Sequence, residues 1–379
     1  MAERAFKTKL IVNNTESTKL THCCDVARFV YNWALADRKN AYEERQESIG
    51  YNAQKVRFNA MKREAYPWLM DVPYRVVEYA FRDLDVAYRN FFRRVRSGTE
   101  SPGFPKFKSR HDPKQSFSVL GVKVETDKIR LPNLGWFRLM EHDYIPTNIE
   151  PGRVTISHHA GDWWVSVQVD APVKPQPART PDIVGVDLGH GVLATLSDGT
   201  QYQNPRVLEV QEKKLARLQR ELNRRQKGSA NREKTKEKIG RLHAKIARTR
   251  HHGLHDASRA IVDTRPGVIA IEGYHVRNMM KQTPQKERKY ARRNFKMADA
   301  SVGELRRQIE YKQQWAGGVV FLGDKNEPTN RRCHSCGYVN DFAPLVEKFE
   351  CAGCGTTILR RLNSAQNVQQ LAVAQTVGV

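Results

Sequence analysis

The chain has 379 residues and carries 64 Lys and Arg against 41 Asp and Glu, a formal net charge of +23. That excess is far beyond what solubility requires and points to a polyanionic partner held by salt-sensitive phosphate contacts, although a basic ribosomal or membrane-surface protein also fits charge alone. No apolar run approaches the roughly 20 residues that cross a bilayer, and MAERAFKTKLIVNN lacks a signal-peptide core, so a cytoplasmic protein of two or three domains is expected.

AFKTKLIV reads as a strand, and the polar turn Asn13 to Ser17 leads into a helix from Lys19 to about Glu43. Cys23 and Cys24 fall within that helix, where adjacent side chains diverge, so they read as core. From Tyr51 to Arg94 further helical stretches are broken by Pro67 and Pro73. Their aromatic residues alternate with arginines, a pattern that suits a lobe lying over nucleic acid and equally suits a helical core. Near Ser97 the composition turns to Pro, Gly and basic residues, and Lys106, Lys108 and Arg110 are candidate phosphate contacts. FSVLGVKV, KIRLPNLGWFRLM, GRVTISHHAG and DWWVSVQVD then read as an antiparallel sheet that takes in the N-terminal strand and closes into a small barrel. His158 and His159 read as a polar turn, and the proline-rich APVKPQPART as a linker.

DIVGVDLGHGVLATLSDGT follows and reads as a hairpin with Asp187 at its bend. The nearby glycines would let a metal ion and a phosphate backbone come close, but an Asp capping a strand-to-turn junction explains the pattern equally well. Two basic antiparallel helices come next, with a break at Gly228 and Ser229. Their outer faces carry the nucleic-acid candidates Arg217, Arg224, Arg225, Lys234, Lys236, Lys245 and Arg248. A helix from about Leu254 to Val262 precedes GVIAIEG, a buried strand whose end holds Glu272. Asp187 and Glu272 each end an apolar strand and fit neighbouring positions in one sheet, which supplies part of a two-metal nuclease site but not all of it. KQTPQKERKYARRNFK, with Arg288, Arg292 and Arg293, is ambiguous between helix and a segment ordered only by RNA or DNA. A helix from Gly303 to Trp315 and the strand VVFLG complete this stretch.

Four of the six cysteines fall in CHSCG and CAGCG, so that Cys333, Cys336, Cys351 and Cys354 form CxxC, fourteen residues, CxxC. Four thiolates at this spacing close a tetrahedral structural zinc site on two tight knuckles, and the grouping argues against a disulfide framework. His334, inside the first knuckle, is not needed as a ligand.

In order, FVYNWAL, GFPKFKSR, GVDLGHGVLATLSDG, VIAIEGYHVRNM, IEYKQQWAG, the two knuckles and LNSAQNV resemble the TnpB family of RNA-guided nucleases, relatives of compact type V CRISPR effectors. The resemblance covers nearly the whole chain. It implies an α/β multidomain protein with a wedge-like β-barrel (1–15 and 103–172), a helical recognition domain (16–102), a RuvC-like domain of RNase H-type topology (181–328 and 356–379) and an inserted zinc ribbon (329–355). It further implies a guide RNA, a complementary double-stranded DNA target with a short flanking motif, one protein copy in the ribonucleoprotein, no membrane, and association with the bacterial nucleoid.

The family's acid-rich DRDxNAA segment stands here as LRRLNSA, which puts Arg361 where a third metal-binding Asp is expected. Arginine stays protonated and offers no lone pair to Mg²⁺. The resemblance extends to nuclease-deficient relatives that repress transcription. The reading it favours is guided DNA binding and repression without cleavage, with Asp187, Glu272 and Arg361 as a vestigial site and structural Zn²⁺ as the metal. The alternatives are Mg²⁺-dependent cleavage with another acid such as Glu350 in place of the third, and a structural RNA-binding protein without a guide.

Overall fold

The computed structural model describes residues 2–98, 101–171, 180–273, 288–324, 327–341 and 347–377. They form two compact units, Met1–Pro172 and Val173–Val379. The stretches 172–179 and 274–287, which take in most of the linker and the start of the basic segment, lie outside the described residues.

The first unit begins with β1 (Ala2–Ile11) and α1 (Asn14–Arg45). The helix starts five residues earlier than the polar-turn reading allowed. The Asn13 side chain accepts from the Glu16 amide at 2.8 Å while the Glu16 carboxylate accepts from the Asn13 amide at 2.8 Å, so the polar residues are a capping box rather than a turn. Helices α2 (Tyr51–Ala65) and α3 (Tyr74–Arg96) follow, separated by a short 3₁₀ turn at Pro67–Asp71. Trp33, Phe58 and Phe81 lock them together, with ring centroids 4.8 Å and 5.3 Å apart in turn. Cys23 and Cys24 are buried in this core, and burial pushes the Cys23 thiol up to about 12.

The sheet of this unit adds β2 (Lys114–Val119), β3 (Lys123–Val124), β4 (Lys128–Leu131), β5 (Gly135–Leu139), β6 (Pro151–His159) and β7 (Asp162–Ala171). Its order is β2-β6-β7-β1-β5-β4-β3, with the N-terminal strand central and paired antiparallel to β7 and β5. The closed barrel is not formed: among the described residues no ladder joins the edge strands β2 and β3, and β3 contributes only two residues.

The second unit holds a five-stranded sheet made of β8 (Thr180–Leu188), β9 (Val192–Leu196), β10 (Gln201–Gln203), β11 (Pro266–Ile271) and β12 (Val319–Leu322), in the order β10-β9-β8-β11-β12. β8 and β9 form the antiparallel hairpin, while β11 runs parallel to β8 and to β12. Between β10 and β11 lie the helices α4 (Val207–Arg224) and α5 (Ala230–Asp263), packed through Leu218, Leu242 and Ile246. After β11 come α6 (Arg288–Ala300) and α7 (Val302–Trp315), and beyond β12 the short hairpin β13 (Lys348–Glu350) and β14 (Thr357–Leu359) leads into α8 (Arg360–Val377). Asp299 of α6 accepts from the Leu208 and Glu209 amides at the start of α4 and from Arg250 of α5 at 2.9 Å, joining three helices through one buried carboxylate.

Alternation along the strands sorts this sheet into two faces. Val186, Leu188, Ile269 and Ile271 pack against Leu254 and Ile261 of α5 and Leu305 and Ile309 of α7. On the other face Ile183 and Ala270 meet Val368 and Ala372 of α8. Asp187 and Glu272 have the same parity as Ile183 and Ala270, so both acids belong to the α8 face.

Gly185 permits this docking, because a Cβ there would lie 1.9 Å from the Ala365 carbonyl and 2.9 Å from Gln369. Gly185→Ala is therefore expected to cost about 1–3 kcal/mol, the usual penalty for overpacking, read as a lower midpoint in chemical denaturation. Gly240→Ala, in the middle of α5 with nothing within 4 Å of the new Cβ, should instead gain about 0.5–1 kcal/mol.

Candidate functional site

The two acids are brought together by strand register. Val186 pairs with Ile271 across the parallel β8–β11 ladder, so the next residues, Asp187 and Glu272, stand side by side at its end, with Asp187 still inside β8 and paired with Thr195 rather than at the bend of the hairpin. The opposite wall is the first turn of α8. Arg361 reaches between the glycines of the β8–β9 turn, where a Cβ on Gly189 would lie 2.0 Å from its Nη1 and one on Gly191 3.2 Å from its Nη2. Its Nη1 stands 3.6 Å from Asp187 Oδ2 and donates to the Val192 carbonyl at 3.3 Å. The space that the glycines open beside Asp187 is thus filled by a guanidinium.

Ser364, one turn further along α8, donates from Oγ to Glu272 Oε1 at 2.8 Å, and Thr329 Oγ1 donates to the same oxygen. Both hydroxyl residues are buried. Arg361 and Ser364 therefore give each carboxylate a partner from the same helical turn. Arg361 is legible in the sequence, Ser364 shows there only as a hydroxyl in LNSAQNV at a position that reads Ala in the family segment, and Thr329, ahead of the first knuckle, carries no such signal.

Burial is the largest influence on both acids. It raises Asp187 above the usual carboxylate range, and Arg361, Arg360 and Ser364 pull the other way. Burial also raises Glu272, with the charge of Asp187 adding to it and Ser364 opposing. The surroundings are cationic: after burial, Arg361, Lys296, Arg293 and Arg206 all disfavour the charged form of His190 in the same turn.

The acidic pair does not fit a divalent-metal centre with Arg361 in place. A guanidinium has five donors and no acceptor, and its Nη1 lies 3.6 Å from Asp187 Oδ2. Glu350 is exposed on β13. Among the described residues, the one group of three or more His, Cys, Asp or Glu donors that converges as a metal site does is the cysteine set.

That set does fit its metal. The four Sγ atoms of Cys333, Cys336, Cys351 and Cys354 lie within 4.8 Å of one another, with Cys333 to Cys354 at 3.7 Å and Cys336 to Cys351 at 3.5 Å. A tetrahedron with Zn–S bonds of about 2.3 Å needs sulfurs roughly 3.8 Å apart. Gly337 and Gly355 close the knuckles with φ of 75° and 73°, and the Gly353 amide points at Cys351 Sγ at 3.3 Å. The Asn363 side chain donates to the Arg332 carbonyl at 2.7 Å and accepts from the His334 amide at 3.0 Å. Asn367 donates to the Thr329 and Arg332 carbonyls, each at 2.7 Å, so two asparagines one turn apart tie α8 to the first knuckle.

The candidate phosphate contacts divide by exposure. Lys106, Arg110, Arg217, Arg224, Lys234, Lys245 and Arg248 are exposed. Lys236 is exposed and paired with Glu233 at 2.7 Å. Lys108 departs from the outward-loop expectation: its backbone is held at both ends by Asn32, its ammonium sits 4.1 Å from the Tyr31 ring centroid, and burial lowers its pKa. Arg225 is half-buried and pairs with Glu221, and Arg292 is held by Glu209 at 2.7 Å and Glu212 at 2.8 Å, so the charge of each is largely matched within the fold. Arg293 is half-buried on α6, and Arg288 opens that helix.

Because both acids have raised folded-state values, the stability linked to them is fully present below their unfolded values and is lost as pH rises through the folded ones. Glu272→Gln should flatten the fall in melting temperature between about pH 4 and pH 7. Arg361→Ala should cost more at about pH 8 than at about pH 5, by about 1–3 kcal/mol, because only ionised Asp187 loses a counter-charge. Thermal melts across that range check both.

Residues 165–283 match the family described as "Probable transposase", residues 303–368 match the "Cas12f1-like, TNB domain", and residues 1–47 match a "Helix-turn-helix domain". In the structure that last stretch is one strand and one long helix. The chain is 34% identical over 376 residues to "Putative RNA-guided DNA endonuclease InsQ" of Escherichia coli (strain K12), covering 96% of this chain and 91% of that protein. It is 32% identical over 383 residues to "Putative RNA-guided DNA endonuclease" of Streptomyces pristinaespiralis, covering 98% and 90%. Its fold resembles the protein in a cryo-EM structure of a Cas12f1-sgRNA-target DNA complex, with a TM-score of 0.56 at 13% identity over 93% of this chain and 82% of that one. Identity of this extent over nearly the full length of both chains places this protein in the TnpB- and Cas12f-like family of RNA-guided DNA nucleases.

Proposed function

We propose that this chain carries a guide RNA and binds complementary double-stranded DNA beside a short flanking motif without cutting it, so that the bound complex represses transcription. The observation that carries this reading is Arg361 in the slot beside Asp187, with Ser364 and Thr329 occupying Glu272. A fixed cation there offsets the carboxylate charge that would otherwise recruit Mg²⁺. Binding does not depend on that centre, because guide pairing reads sequence while the protein holds backbone and flanking motif. The exposed cations of α4 and α5 suit that task. Cys333, Cys336, Cys351 and Cys354 would hold a structural zinc whose role is to fix the two knuckles against α8.

A second reading, Mg²⁺-dependent cleavage, is favoured by the names of the relatives and by the side-by-side placement of Asp187 and Glu272. It requires Arg361 to leave its slot.

The two readings part in one experiment. RNA that copurifies with the chain is sequenced, and the ribonucleoprotein is given matched and mismatched duplexes with Mg²⁺ or Mn²⁺. Tighter binding to the matched duplex, with both strands left intact, is the expected result. Guide-dependent cutting that disappears in Asp187→Ala would establish the nuclease reading. Equal affinity for matched and mismatched DNA would leave only an unguided nucleic-acid binder.

A further inference from the structure

Four rings in the first unit meet where the C-terminal half of α3 approaches the loop at 101–110. Tyr88 and Phe91 stand edge-on to Phe104, at 5.6 Å and 5.3 Å between centroids. Phe92 lies 5.1 Å from Phe91 and nearly parallel to Tyr88 at 6.2 Å. Tyr88 and Phe91 are half-buried and hold the other two, while Phe92 and Phe104 remain 53% and 44% exposed. The loop is itself pinned, since Arg94 Nη1 donates to the Pro102 carbonyl at 2.8 Å. The four rings therefore form one contiguous apolar surface rather than separate side chains.

Its rim is cationic. The last turn of α3 carries the exposed Arg93, Arg94 and Arg96, while Arg38, over Tyr88 at 4.9 Å, is largely buried and paired with Asp85. An apolar protein partner would bury these charges at a cost, whereas a polymer that combines flat π faces with phosphates matches both rings and rim. An exposed ring cluster of this kind also needs a lasting cover. A guide RNA carried by the protein throughout its life provides one, and a transient DNA target does not. We propose that Phe92 and Phe104 form a stacking platform for unpaired bases of the guide RNA. This rests on the guided-binding reading and adds to it a specific contact for single-stranded RNA.

The test uses the full chain and a short single-stranded RNA that carries a fluorescent adenine analogue. Wild-type binding should quench the fluorophore. Phe92→Ala with Phe104→Ala should abolish the quenching and weaken binding by about 10-fold, as loss of base stacking does. The slope of log affinity against log salt should stay unchanged, because no phosphate contact is removed. Phe92→Leu with Phe104→Leu keeps apolar bulk but loses the π faces, and should behave like the alanine variant. Leucine restoring quenching, or alanine leaving it intact while wild type binds RNA, overturns the platform. A change in oligomeric state on sedimentation, with RNA binding untouched, assigns the surface to protein contact and overturns it as well. Failure of the wild type to bind RNA at all would instead remove the guided reading on which the platform depends.

Discussion

The seating of one helix on one strand governs the second unit. α8 approaches β8 so closely that Gly185 has no room for a Cβ against the Ala365 carbonyl. The approach is fixed at several levels: Gln369 donates to the Ile183 carbonyl at 2.6 Å, Val368 and Ala372 close over Ala270, and Asn363 and Asn367 hold the knuckle segment. With the helix at that depth, its first turn must meet whatever the ends of β8 and β11 present. They present one buried and one half-buried carboxylate, Asp187 and Glu272, and the helix brings Arg361 and Ser364 to them.

This arrangement makes one site answer two demands. Buried carboxylates side by side repel each other and are desolvated, so each needs a counter-charge or a donor. In a two-metal nuclease the ions supply it. Here Arg361, Ser364 and Thr329 supply part of it, and both acids still stand above the usual carboxylate range. Arg361, with Lys296, Arg293 and Arg206, also disfavours the charged form of His190, after burial. Guided binding and metal-dependent cutting are separable functions, and this geometry bears only on the second.

Much of this was legible in the sequence because it is written in periodicity and spacing. The apolar runs before Asp187 and Glu272 are long enough to be buried strands, and residues that end such strands fall at one edge of a sheet. The CxxC pair has the spacing that its geometry requires. What was not legible depends on docking. Nothing local shows that Gly185 is the point of closest approach, that Thr329 from the knuckle segment reaches Glu272, or that Lys108 turns inward onto Tyr31. Barrel closure was over-read because alternation shows that strands pair but not whether the two edge strands meet. The early start of α1 could have been seen, since Asn13 and Glu16 are spaced as a capping box.

We propose that Arg361, 3.6 Å from Asp187, takes the place of a metal there. Manganese titration of the zinc-loaded chain, followed by the electron paramagnetic resonance of free and bound Mn²⁺, tests it most directly. The account predicts no Mn²⁺ bound at the acidic pair in the wild type. Binding should appear in Arg361→Ala and vanish again when Glu272→Gln is added. Mn²⁺ bound by the wild type and lost in Asp187→Asn would contradict the account.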